Sequence, residues 1–162
     1  MPSPTALIAL LVWPSVLHLP SFGHDPQAVA GWRLSVRADS FTGGHVCKLG
    51  RRGISFTRQA LVLHLARNID TSTAYYRVDD AAPRAARDDQ AVLAELGFTL
   101  FADDLNNPSQ GLVRIPEPIV LNARTVRVET AAFQRPTVFR IDGLAQALSA
   151  AHAAGCRDAD FQ

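Results

Sequence analysis

The chain is 162 residues long and carries 16 Lys and Arg against 15 Asp and Glu, a formal net charge of +1. That balance speaks against nucleic acid as a partner, because neutralising phosphates takes clustered positive charge. The length suits one hydrophobic core, and neither repeats nor a second core are expected.

Residues Met1 to Gly23 contain no Asp, Glu, Lys or Arg, and Ala6 to Val12 is an unbroken apolar run. This is the pattern of an export signal, with the small residues Ser21 and Gly23 at a spacing a signal peptidase uses. Pro14 and Pro20 interrupt the segment, and its apolar run is well short of the ~20 residues that cross a bilayer, so no membrane span is expected after cleavage. Residues 24–31 are expected to form a flexible mature N-terminus and 32–162 a single domain, periplasmic or secreted.

Trp32 to Ala38 alternates apolar and polar residues, which predicts a strand with Trp32, Leu34, Val36 and Ala38 on one face and Arg33 and Arg37 in water. Asp39 to Gly44 supplies a turn, and His45 to Leu49 returns as a second strand with Cys47 and Leu49 on a shared face. Ala60 to Ala66, apolar at nearly every position, reads as a central strand covered on both sides. Thr73 to Asp79 is a further strand, rich in β-branched and aromatic residues. Asp88 to Gly97 has a capping Asp, good helix formers and an exit Gly, hence one short central helix. Four short strands follow at Leu112–Ile115, Ile119–Leu121, Thr125–Glu129 and Thr137–Ile141, punctuated by prolines. From Asp142 to Gly155 an Ala-rich run forms a terminal helix, capped by Asp142, with Leu144, Ala147, Leu148 and Ala151 as its apolar stripe. The fold class is therefore mainly β: a β-sandwich or flattened antiparallel barrel of about eight short strands, with a C-terminal helix packed on the sheet.

Two cysteines, Cys47 and Cys156, are the only ones in the chain. Export makes a disulfide between them the expected state, because thiols oxidise in secreted and periplasmic compartments. The competing reading is a reactive Cys47 thiolate, its pKa lowered by Lys48, Arg51 and Arg52, but no Cys-x-x-Cys pair is present for redox cycling. No two histidines, and no histidine with a carboxylate, stand at metal-ligand spacing. His24 at the new N-terminus and His45 beside Cys47 offer at most half a metal site, so no metal and no cofactor are expected. His64 lies in the apolar strand, where a hydrogen-bonded core histidine is the plain expectation, and His152 in the last helical turn suits the helix dipole. Ser55 and Thr57 near His64 are the nameable candidates for a hydrolase, although no nucleophile elbow occurs and no catalytic residue is assigned. The paired carboxylates Asp79–Asp80, Asp88–Asp89 and Asp103–Asp104 read as solvated turns and caps, and Asp103–Asp104 with Asn106–Asn107 lacks the calcium-loop pattern.

Trp32 opening an alternating strand, Cys47-Lys48-Leu49 after a Gly-rich turn, Tyr76-Arg77-Val78-Asp79, and Val138 to Leu148 together resemble the invasion-associated locus B family of exported bacterial envelope proteins. Members of that family carry a second, central cysteine pair that this chain lacks. The resemblance implies a β-sandwich or flattened barrel with a C-terminal helix, a periplasmic or surface location, an association with host-cell interaction, and no catalytic residues to carry over. The expectation for function is a non-enzymatic binding or interaction role in the cell envelope, with an unidentified envelope component or partner protein. A small hydrolase using His64 and a periplasmic metal-binding protein using His24 and His45 are the alternatives.

Overall fold

A computed structural model describes residues 26–66, 69–98, 111–132 and 135–162. The expected signal 1–23, His24, and the Asp103–Asp104 and Asn106–Asn107 pairs lie outside the described residues.

Two antiparallel sheets form a sandwich-like arrangement. The larger has six strands in the order β1 (Gln27–Val29), β2 (Trp32–Ala38), β3 (His45–Arg51), β4 (Ile54–Thr57), β5 (Ala60–His64) and β8 (Leu112–Pro116). The smaller runs β10 (Thr137–Arg140), β9 (Thr125–Glu129), β6 (Tyr75–Val78) and β7 (Arg84–Ala85). Among the described residues three α-helices accompany them: α1 (Gln90–Glu95), α2 (Glu117–Val120) and α3 (Leu144–Ala153).

The core follows from the strand alternation. Trp32 and Leu34 on β2, Cys47 and Leu49 on β3, Ile54 and Phe56 on β4, Leu61 and Leu63 on β5, and Val113 and Ile115 on β8 all turn to one side. They join Tyr76, Val126, Val128 and Phe139 of the smaller sheet in one continuous cluster. Helix α3 lies across β1, β2 and β3 and closes that end. Its buried residues are Leu144, Ala147, Leu148 and Ala151, the stripe expected from the sequence. The bridge between Cys47 and Cys156 ties β3 to the residue just beyond α3, and the chain then returns so that Phe161 packs edge-on against Phe56 and Gln162 N donates to Cys47 O.

Four expectations are corrected. Ile119–Leu121 is not a strand: Pro116 ends β8, Pro118 has the fixed φ that suits a first helical turn, and Leu121 N donates to Glu117 O, making the short helix α2. Asp142 does not cap α3; Gly143, at φ 81°, holds the N-cap position while the Asp142 carboxylate faces Arg51 and Arg140. Asp89 stands at the N-cap position of α1, at the end of a 3-10 turn over Ala86–Asp89, but its buried side chain makes no capping hydrogen bond to the helix. Its carboxylate takes the Arg84 guanidinium at 2.6 Å and the Tyr76 hydroxyl at 2.6 Å, so the acid is a tie between strand and helix rather than a solvated turn residue. Residues 27–29, expected to be part of a flexible stretch, pair with β2 as an edge strand. The mainly β, sandwich-like class expected from the sequence holds, with ten strands among the described residues, of which β1, β4 and β7 are each four residues or shorter.

Candidate functional site

The alternation that buries one face of the larger sheet exposes the other. On β2 the inward Trp32, Leu34 and Val36 leave Arg33, Ser35 and Arg37 outward; on β3, Lys48 projects between buried Cys47 and Leu49; on β4, Ser55 projects between buried Ile54 and Phe56. These residues, with Arg51 and Arg52, line a groove of about 760 Å³ that reaches from Ala28 to Ser55 and has no Asp or Glu among its described lining residues.

The five cations of the groove are not equivalent. Arg51 is occupied: its guanidinium stacks 5.6 Å from the centre of the Trp32 ring and lies 3.6 Å from the Asp142 carboxylate. Trp32 Nε1 in turn donates to Asp142 O at 3.0 Å, so this group fastens the start of α3 to the sheet. Arg33, Arg37, Lys48 and Arg52 are exposed and form no ion pair with any described carboxylate.

A near-neutral chain acquires this face by segregation. Among the described strands nine residues are Arg or Lys and a single one, Glu129, is acidic. The other described acids sit in turns, in helices or at their ends. Asp79 is an example: burial acts to raise its pKa, but hydrogen bonds from the Thr125 and Arg124 amides and the Thr125 hydroxyl outweigh it and hold the carboxylate below its ordinary value, pinning β6 to β9.

His64 is not a core histidine. Leu63 takes the inward position on β5, and His64 follows on the exposed outer face. Register places Ile54 opposite Leu63 and Ser55 opposite Val62, which brings Ser55 Oγ to 2.8 Å from His64 Nε2 across the strand pair. Their closeness is therefore a real contact, not only proximity along the chain. Burial, and then the charge of Arg114, hold the His64 pKa below its ordinary value, so the imidazole is neutral at physiological pH. Thr57 is engaged elsewhere, donating to Phe161 O.

His152 Nε2 lies 3.1 Å from Asp158, and His45 packs beside Gly155. With Cys47 Sγ bonded to Cys156, the expected soft half-site of His45 and Cys47 has no thiolate to offer, and the reactive-thiol reading of Cys47 falls with it. Among the described residues no three His, Cys, Asp or Glu side chains converge as a metal site. Arg33, Arg37, Lys48 and Arg52 were the residues that net charge concealed; the signal was the outward register of the first three on β2 and β3, with Arg52 in the turn that follows, read against the placement of the acids.

Family models, curated proteins and solved structures were all searched for similarity to this chain, and none matches.

Proposed function

We propose that this protein is an exported binding protein of the cell envelope that holds an anionic ligand on the outer face of its larger sheet. The observation that carries the reading is the groove lined by Arg33, Arg37, Lys48 and Arg52 with no Asp or Glu among its described lining residues. Like charges held together on one surface raise the local potential and attract anions, an effect that depends on arrangement and not on net charge. The disulfide supports an oxidising compartment, and the resemblance to the invasion-associated locus B proteins is consistent with an envelope location. Retention on immobilised dextran sulfate at neutral pH tests the proposal. The wild-type chain binds and elutes with salt, while Arg37→Glu with Lys48→Glu elutes near the void volume; equal retention of the two proteins would refute it.

The Ser55–His64 contact favours a second reading, hydrolysis of an ester bound in the same groove. A neutral imidazole 2.8 Å from a hydroxyl is positioned to accept its proton as the serine oxygen attacks a carbonyl. No described carboxylate orients the other imidazole nitrogen, so the pair lacks the third member of a triad. Labelling by a fluorophosphonate that disappears in Ser55→Ala and His64→Ala would support this reading, and absence of labelling would remove it.

A further inference from the structure

Resting on the anion-binding reading, we infer that the ligand is an acidic polysaccharide bound as an extended chain along the β2–β3 hairpin. The register sets the pattern: Lys48 stands directly opposite Ser35, and therefore diagonal to both Arg33 and Arg37. Diagonal neighbours in an antiparallel pair are about 7–8 Å apart. Arg33 and Arg37, four residues apart on one strand, are separated by roughly 13 Å. Arg52 continues the series at the turn that follows β3.

The cations thus form a line and do not surround a point. One small anion cannot touch both ends of that line, whereas a polymer with charges at regular intervals meets every member. Ser35 stands between Arg33 and Arg37, and Ser55 lines the groove from β4 opposite Gly50; hydroxyls both donate and accept and so match the hydroxyls of a sugar chain. Opposite Arg33 is Gly50, where a Cβ would come within 2.8 Å of Ile54 O; the absence of a side chain leaves the floor of the groove open at that point.

The same lining speaks against single-stranded nucleic acid. Such ligands are held by aromatic platforms on which bases stack. Among the described lining residues the one aromatic, Trp32, is 1% exposed with its ring turned into the core.

The test measures binding of the folded, disulfide-bonded protein to oligogalacturonates of two, four and eight residues, to inorganic phosphate, and to an oligo(dT) with as many charges as the octamer. The octamer is expected to bind at least about tenfold more tightly than the dimer, and about 50-fold more weakly at 200 mM salt than at 50 mM, the change for roughly four released counterions. Lys48→Ala, an exposed position whose circular dichroism should match the wild type, lowers that salt dependence to about 20-fold. Tighter binding of oligo(dT) than of the octamer would overturn the polysaccharide assignment. Phosphate binding as tightly as the octamer, with no length dependence, would overturn the extended chain while leaving an anion site in place. No binding of any probe would overturn the anion-binding reading itself.

Discussion

Opening the Cys47–Cys156 bridge should remove at least about a third of the folding free energy. The bridge joins positions 109 residues apart. The chain-entropy account assigns about 4.7 kcal/mol to a loop of that length at 25 °C, against about 5–15 kcal/mol for a domain as a whole. For a body of this size the loss corresponds to a fall in Tm of about 16 °C. Both half-cystines are buried, so the sulfurs are packing atoms as well as a cross-link. Reduction keeps those atoms in place, whereas Cys47→Ala with Cys156→Ala also leaves two small voids, each worth about 1 kcal/mol. The double variant should therefore be less stable than the reduced wild type by about 2 kcal/mol. Urea unfolding followed through buried Trp32 measures all three forms, with alkylation and mass spectrometry confirming the thiol state. A reduced protein within about 1 kcal/mol of the oxidised one would refute the reasoning, since the loop would then contribute almost nothing beyond what the packing of α3 on β1–β3 already secures.

Arg84→Ala leaves the Asp89 carboxylate buried with only the Tyr76 hydroxyl, and should cost about 3 kcal/mol in urea unfolding, more than the roughly 1–2 kcal/mol for Tyr76→Phe. Burial, followed by the hydrogen bond and charge of Asp89, raises the Tyr76 phenol far above its ordinary value. Its folded pKa exceeds the unfolded one, so its contribution is complete below about pH 10 and is lost as pH rises toward the folded value. Urea midpoints should hold level from about pH 8 to about pH 10 and decline above it, and Tyr76→Phe should flatten that decline. Gly143→Ala places a Cβ 2.7 Å from Ala30 O on a residue at φ 81°, and should destabilise by about 2–4 kcal/mol, read from the thermal midpoint.

Where burial is one-sided, the sequence was explicit. β2 occupies the residues its alternation marks, and the stripe of α3 is the one its Ala and Leu spacing defines. The misses have local causes. The β4–β5 turn is made by Arg58 and Gln59, both left-handed at φ 46° and 60°, with no Gly or Asn to announce it. That conformation persists because Arg58 donates to Gly97 O and Gln59 to Asp158, contacts 39 and 99 residues away that no local pattern reveals. Ile119 and Val120 have strand character in isolation, and only the prolines on either side of Glu117 commit them to a helical turn. His64 was misread because β5 is apolar at every other position, Ala60 to Leu63, so nothing in the strand itself told its covered end from its open one.

The cationic face also bears on why composition misled. Opposite charges placed across strands each contribute about 0.2–1 kcal/mol, and this chain has enough acids to make such pairs. It does not use them that way: Lys48 faces Ser35, Arg33 faces Gly50, and on the smaller sheet Arg77 stands directly opposite Arg127. A surface arranged for stability alone would alternate signs across those positions. Keeping the acids in turns and helix ends gives up that stabilisation and concentrates positive potential on the sheet, an arrangement that favours binding an anion from outside over internal pairing. Net charge sums over the chain and cancels, whereas register decides which charges stand together, and register becomes visible only when the strands are paired.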